Sequence, residues 1–440
     1  MSDVNVECEW CEKYLFKARS GSIDLPMTIV VGAGLAGSTC AKLLSEAGHP
    51  FVLCEASGRP GGRAVSERTP EGFILDRGFQ VLLDSYPTAR RHLDLTALGG
   101  GRFRAGAMLV GGGRPSCLEN PLRRPLALLG ALRAEVIPWA DLFRLLGLVT
   151  KSFGRGGVDD SLSTAALLQR CGFSETFFTR FARPFFGGVL LDPELQTSGE
   201  VFLGYLRRFV TGRALLPAGG IGALAEQLVA GIPQDMVRYG MRAESLVFAH
   251  GRVGGVRFAN GSVLAGEEVI LAVDEPAACR LLGSGQPRAA LATAVHYFAA
   301  DRPFYDGAWL CLPPRREKSP VLHAALVSNA APSLAPRDAH LWSVTVLPGH
   351  ARAADAELVR AEVASWFGAD PRSMRPLAFI EVPYAVPEQL PGFRRRPSPW
   401  GVLPPGVRVA GDAQCGASID AVMASGEEVA KKVISRGAIN

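Results

Sequence analysis

Between residues 32 and 37 the sequence reads Gly-Ala-Gly-Leu-Ala-Gly, directly after the apolar run Thr28–Val31. Glycines at this spacing each meet a mechanical need. Gly32 permits a tight turn out of a strand, Gly34 lets backbone approach a pyrophosphate with no Cβ in the way, and Gly37 lets the following helix pack closely on a sheet. Leu35 and Ala36 complete the turn, where free N–H groups and the positive end of a helix dipole, roughly half an elementary charge, meet phosphate oxygens. Glu55 follows 23 residues after Gly32, where a carboxylate accepts from ribose hydroxyls and repels the 2′-phosphate of NADP. The chemistry implied is dinucleotide binding. Taken alone, the fingerprint fits NAD and FAD equally.

Three further stretches bear on that choice. Glu55-Ala56-Ser57-Gly58-Arg59-Pro60-Gly61-Gly62-Arg63 places paired glycines just past the acid, Asp76-Arg77-Gly78-Phe79-Gln80 follows, and the chain closes with Val407–Asp412, Gly416–Asp420 and Ser425-Gly426. Together they resemble the ExxxRxGGR, DxGxx and C-terminal AGD…SI motifs of the flavin amine oxidase and phytoene desaturase superfamily. The resemblance implies FAD. It places Gly61 and Gly62 against the pyrophosphate and ribitol, Arg59 and Arg63 with the phosphate-binding extension, and Gly78, Phe79 and Gln80 along the flavin. It also implies that Asp412, after Gly411, hydrogen-bonds the ribityl or phosphate side, and that the backbone of Ser418 and Ile419 faces the flavin O2, where a helix N-terminus favours charge gathered on reduced flavin. Leu216–Gly222 matches a middle element of the superfamily. Ala243 stands where an adenine-contacting valine is common, a departure of little weight if that contact is made through backbone.

The elements needed to position these residues are legible in outline. Thr28–Val31 reads as a buried parallel strand, residues 38–47 as a helix stopped by Gly48, and Phe51–Cys54 as a second strand, a βαβ unit of ordinary size. Residues 121–151 are Leu-rich and broken by Pro125 and Pro138, predicting two short helices, and residues 161–213 read as helical. Alternation from about 236 to 273, with the turn Asn260-Gly261, predicts a hairpin and a further strand. A strand over 341–347, a helix over 354–367, a strand over 407–410 and a last helix over 421–435 complete the pattern, without internal repeats. The expected fold class is α/β: a Rossmann-like FAD-binding domain with an inserted α+β substrate domain. The expected division is an extension over 1–26, a discontinuous FAD domain over 27–95, 214–275 and 400–440, and a substrate domain over 96–213 and 276–399.

Composition narrows the function classes. The chain has 440 residues, 20% charged and 48% apolar, with a formal net charge of +5, long enough for two or three domains. That mild basic bias, with no basic run carrying interleaved aromatics, makes nucleic acid an unexpected partner. No apolar run is long enough for a spanning helix. The nine cysteines are scattered in apolar surroundings, as for reduced thiols in a reducing compartment. Cys8 and Cys11 form a CxxC with no second ligand pair, so no metal is expected. Residues 1–26 lack an apolar h-region and read as neither a secretory signal nor a transit peptide, but as a weakly ordered extension or sequence upstream of a start at Met27. The expected location is the cytoplasm, with peripheral membrane contact as a variant.

The inserted half carries no triad or metal cluster, and flavin chemistry needs none: substrate must be set against the reactive ring and water kept out. No second GxGxxG follows a strand, so a dedicated NAD(P)H domain is not expected, and electrons pass to oxygen, a quinone or another acceptor. Leu126, Leu128, Leu129, Leu132, Trp139, Leu142, Phe143 and Leu146 read first as ordinary core packing, with a substrate tunnel or a membrane-dipping patch as the functional readings. Arg183, Phe185 and Phe186 read first as a cap and core. His296, His323 and His340 read as structural, so no general base is assigned and the catalytic residues stay open. No lysine matches the flavin-facing lysine of amine oxidases, and Cys415 lies near the expected flavin without a recognised attachment context. The reading reached is an FAD-dependent oxidoreductase taking hydride from a small, apolar organic substrate such as an isoprenoid or carotenoid. Amine oxidation with oxygen, a non-redox flavin reaction and a non-catalytic flavin protein are the alternatives.

Overall fold

The computed structural model describes residues 27–111, 113–119, 138–154, 160–313, 319–396 and 398–437. The extension with Cys8 and Cys11, and Leu126, Leu128, Leu129 and Leu132, lie outside the described residues. The chain divides into two compact units, one made of residues 1–62, 225–288 and 397–440, the other of residues 63–224 and 289–396. Residues 63–95 and 214–224 therefore pack with the second unit.

The first unit is built on a five-stranded, wholly parallel sheet in the order Val237–Arg238, Phe51–Cys54, Thr28–Val31, Glu268–Leu271, Val407–Val409. Strands buried on both faces need apolar residues at every position, and Thr28–Val31 and Phe51–Cys54 are buried throughout. Alternation assigns the faces: Val30, Leu53 and Ile270 pack under the helices Leu35–Glu46 and Ile419–Gly437. Ile29, Val31, Val52, Val269 and Leu271 pack instead against Leu246, Val253 and Phe258 of a three-stranded antiparallel sheet. This is the α/β, Rossmann-like architecture expected.

The second unit has a seven-stranded sheet in the order Met374–Pro387, Ala290–Ala300, His340–Val346, Val321–Leu326, Leu310–Leu312, Gly106–Leu109, Ser116–Glu119. It is antiparallel except where Leu310–Leu312 meets Gly106–Leu109. One face packs on the helix Ala356–Ser365 through Trp342, Val344, Val359 and Val363. The other holds Val295, Tyr297, Ala325 and Leu341 with Phe73, Ile74 and Leu75 of the short hairpin Ser66–Arg68/Ile74–Asp76. A helical cluster, including Trp139–Phe153, Arg183–Val189 and Gly199–Thr211, has a separate core of Phe177, Phe186, Phe202 and Leu203. Trp139–Phe153 is one helix of fifteen residues starting just after Pro138, whose ring cannot continue a preceding helix but suits the entry to a new one.

Candidate functional site

In the first unit the glycine turn and the later glycine pair meet. Gly34 and Gly61 form an isolated parallel bridge, and the Gly61 N–H donates to the Ala33 carbonyl at 2.8 Å. A Cβ on Gly62 would lie 3.4 Å from the Gly34 Cα, while one on Gly34 would lie 4.0 Å from the Gly61 oxygen. Two bare backbones thus form one cradle. Gly37 is the tightest point, because a Cβ there would sit 1.9 Å from the Gly32 carbonyl oxygen. That contact lets Leu35–Glu46 begin directly over the strand end, with the first-turn N–H groups of Leu35, Ala36 and Gly37 lacking intrahelical acceptors. Gly426 does the same for the last helix: its Cβ would meet the Ala36 oxygen at 2.1 Å.

Glu55 is buried at the end of its strand. Its Oε2 accepts from the Ala33 N–H at 2.8 Å, and its Oε1 from the Ser57 N–H and hydroxyl, both at 2.8 Å. The carboxylate is locked in place with lone pairs to spare, since an ionised carboxylate accepts about four hydrogen bonds. Ala56 and Arg59 are exposed on the following loop. The Met241 N–H donates to the Glu55 carbonyl at 2.8 Å and the Gly240 N–H to the Ser57 carbonyl at 3.0 Å, bringing the start of the strand Ala243–Ala249 alongside. Tyr239, not singled out in the sequence, is 40% exposed here, and partial burial, then the Glu55 and Glu226 carboxylates, raise its pKa. The only signal for it was its place directly before the hairpin.

The C-terminal motif completes this unit. Asp412 is buried and opens the short helix Asp412–Cys415, after Gly411 at φ +126°. The Gly411 N–H donates to Ser425 Oγ at 3.0 Å, and the Cys415 thiol donates to the Gly411 and Ala421 carbonyls at 3.2 and 3.0 Å. Cys415 is thereby part of the turn's own bracing. Ser418 caps the last helix, its Oγ accepting from the Ala421 N–H at 3.1 Å, so Ile419 is the first helical residue. A further strut was not foreseen: Glu275, fully buried, holds Arg288 through Oε2 at 2.6 and 2.9 Å, and Arg288 donates onward to the Ala413 carbonyl at 3.2 Å.

In the second unit the segment 76–80 lies on the seven-stranded sheet. The Tyr297 hydroxyl donates to the Asp76 carbonyl at 2.9 Å, and a Cβ on Gly78 would meet Thr293 at 3.3 Å. Gln80 donates to the carbonyls of Arg63 and Arg77 at 2.9 and 3.0 Å. Arg63 donates to the Ala385 carbonyl at 2.9 Å and lies over the Tyr384 ring. Burial pushes the Asp76 carboxyl up to about 6, against the pull of its bonds from Ser66 and the Ile221 N–H.

The same unit encloses an apolar cavity of about 210 Å³. Phe79, Phe103, Phe181, Phe185, Leu142 and Leu146 are in its wall, with Arg104, Glu119 and Arg213 as its charged members. This changes two expectations: Leu142 and Leu146 line the cavity rather than a closed core, and Trp139 and Phe143 are 58% and 67% exposed. At i, i+3, i+4 and i+7 the four lie on one stripe of the helix about 100° wide, with Leu142 and Phe143 at its opposite edges. Phe185 and Phe186 pack in the helical core and also border the cavity. Arg183 instead points to Glu175 at 3.6 Å. His296 is structural as expected, bonded to the Ala353 carbonyl at 2.7 Å. His323 is buried with neither ring nitrogen partnered among the described residues.

A flavin dinucleotide needs a Cβ-free path for its pyrophosphate, an acid for its ribose and a helix N-terminus for its polar ring edge, and the first unit supplies residues of each kind. Among the described residues no cluster of His, Cys, Asp or Glu is arranged to hold a metal ion, and the described cysteines are unbridged.

Residues 35–434 match the family model described as "Flavin containing amine oxidoreductase". Among curated proteins, an L-amino-acid oxidase from Siganus canaliculatus is 49% identical over 51 residues, 11% of this chain and 10% of that protein. A 15-cis-phytoene desaturase from an Oncidium hybrid cultivar is 35% identical over 66 residues, 15% of this chain and 11% of that protein. The chain thus spans only about a tenth of the length of these relatives. Among solved structures, an oxidoreductase from Methanosarcina mazei superposes with a TM-score of 0.69 at 19% identity, over 92% of this chain and all of that one. A putrescine oxidase bound to putrescine gives 0.66 at 15% identity, over 93% of this chain and 99% of that one. At such identities these structures speak for the fold.

Proposed function

The chain belongs to the flavin-containing amine oxidoreductase family, and we propose that it takes hydride and a proton from a small, apolar organic substrate, with FAD as its cofactor. The observation that carries this reading is the apolar cavity, with Phe79, from the segment expected along the flavin, in its wall.

Bound FAD supplies the two-electron acceptor, and every other requirement falls to the chain. The Gly34–Gly61–Gly62 cradle and the first-turn N–H groups of Leu35–Glu46 would hold the pyrophosphate, with Glu55 on the ribose. Tyr239 and the backbone at Ala243 would flank the adenine. Asp412 would hold the ribityl side, and the N–H groups at Ser418 and Ile419 would face the ring's polar edge, where a helix N-terminus favours negative charge. Arg63, Gly78, Phe79 and Gln80, which the resemblance sets along the flavin, belong to the second unit. The phenylalanine walls exclude water and fix an apolar substrate by shape, which is what hydride removal from an unactivated carbon requires of a protein.

The phytoene desaturase relative favours an isoprenoid or carotenoid. The L-amino-acid oxidase relative and the family's description favour a second reading, oxidation of an amine with oxygen as acceptor. A quinone or another acceptor fits the first reading equally. Trp139 and Phe143, exposed on the helix that also gives Leu142 and Leu146 to the cavity wall, suit peripheral contact with a membrane that stores apolar substrate. No described helix is long and apolar enough to cross a membrane. The free thiols favour the cytoplasm.

The test is spectral. Purified protein should carry an absorbance band of oxidised flavin, and anaerobic addition of carotenes, but not of polyamines or amino acids, should bleach it. Bleaching by amines alone supports the second reading, and a colourless protein that takes up no added FAD refutes both.

A further inference from the structure

His323 lies in the strand Val321–Leu326 and is 4% exposed, yet neither Nδ1 nor Nε2 has a hydrogen-bond partner among the described residues. Its cross-strand neighbour Thr345, 1% exposed, has a hydroxyl in the same state. Buried polar atoms left unbonded lower stability, so a cluster of three calls for a function or a ligand.

The position of the imidazole says which. The Phe79 ring meets it edge-on at 5.2 Å between centroids, and Phe79 is in the cavity wall. On another side it abuts Gly188, where a Cβ would lie 2.3 Å from Nδ1. Gly188 stands in the helix Arg183–Val189 between Phe186 and Val189, both cavity-lining residues. The imidazole therefore lies one layer behind the wall, against the half-buried ring of Phe79, which lines the cavity, and against the bare backbone of Gly188, which neighbours lining residues without being one. The absence of a Cβ on that glycine makes room for the histidine.

We propose that His323, with Thr345 behind it, is the polar anchor of the cavity, binding a hydroxyl or carbonyl oxygen on an otherwise apolar substrate. The proposal rests on the cavity being the substrate's site, and narrows that substrate from hydrocarbons at large to those carrying one uncharged polar group. Burial draws the His323 pKa down to about 4, so at neutral pH the ring is uncharged, with one nitrogen donating and the other accepting. Such a ring matches a hydroxyl, which also does both, and carries no charge to attract a carboxylate. Phe79, in contact with both the cavity and the imidazole, is the side chain that a bound polar group must displace to reach His323. His323 is thus a specificity-determining residue in this account, and no proton transfer is assigned to it.

The test uses the FAD-loaded protein and two probes of one shape, farnesol and α-farnesene, titrated with the flavin absorbance change as readout. The wild-type protein should bind farnesol more tightly than farnesene by about tenfold, the order of one hydrogen bond. His323→Leu should abolish that preference while leaving farnesene affinity, flavin content and thermal midpoint intact, and His323→Gln should restore part of it. Equal binding of both probes by wild type, or a preference that survives in His323→Leu, overturns the anchor and leaves the apolar-substrate reading standing. Loss of farnesene binding along with farnesol in both variants shows a packing role and also overturns it. Binding of neither probe by the wild type overturns the apolar-substrate reading and the anchor together.

Discussion

The carboxylate of Asp76 accepts the backbone N–H of Ile221 at 2.9 Å, a bond between residues 145 apart in the chain. Its Oδ1 also takes the Ser66 hydroxyl at 2.6 Å, and the Ser66 oxygen in turn accepts the Gly222 N–H at 2.8 Å. The hairpin that leads into Gly78 and Phe79 is thereby latched to the loop 220–222. A Cβ on Gly220 would lie 2.5 Å from Asp76 Oδ1, so the loop's bare backbone is what permits the latch.

The latch predicts a pH dependence. Burial raises the folded-state pKa of Asp76 from 3.8 to about 6, so the folded chain binds this proton more tightly than the unfolded chain. The contribution is fully present below 3.8 and is lost as pH rises through about 6, a loss of at most about 3 kcal/mol. Asp76→Asn should remove this slope from urea midpoints measured between pH 4 and 7. An undiminished slope in the variant assigns it elsewhere.

Gly37→Ala should damage the cradle from behind. Its methyl would overlap the Gly32 carbonyl oxygen, so the helix must shift, at a cost of about 1–3 kcal/mol. Gly58→Ala, whose Cβ meets nothing within 4 Å, is the control. Flavin content after dialysis should fall at least about tenfold in the first and hold in the second.

Arg288→Met should leave the Glu275 carboxylate buried without its cation, at about 3–5 kcal/mol, and remove the strut to Ala413. Thermal unfolding should show the loss, and pairing the change with Glu275→Leu should restore much of it. If the double variant is no more stable than Arg288→Met, the buried ion pair is not the cause.

Trp139→Ser with Phe143→Ser should weaken sedimentation with phosphatidylcholine–phosphatidylglycerol vesicles by at least about tenfold, since two aromatic side chains are the apolar area offered. The flavin spectrum should not change. Vesicle binding equal to wild type would remove this helix from any membrane contact.

The family and the α/β class were legible because they rest on local stereochemistry. A turn with no room for Cβ admits only glycine, a strand buried on both faces must be continuously apolar, and these demands leave marks within a few residues of one another. Residues 121–151 show the limit of the same method. A Leu-rich, amphipathic stretch carries the same periodicity whether its apolar face meets a core, a cavity or solvent, so Leu142 and Leu146 could not be told from Phe143 by spacing. His323 makes the point most sharply, because its lack of hydrogen-bond partners among the described residues is a property of its surroundings. The sequence alone determined the cofactor class, through glycines and an acid whose roles are written in backbone geometry. Only the tertiary structure decided where the cavity lies, which phenylalanines wall it and that an uncharged histidine stands behind Gly188, because those facts arise when segments more than a hundred residues apart are packed side by side.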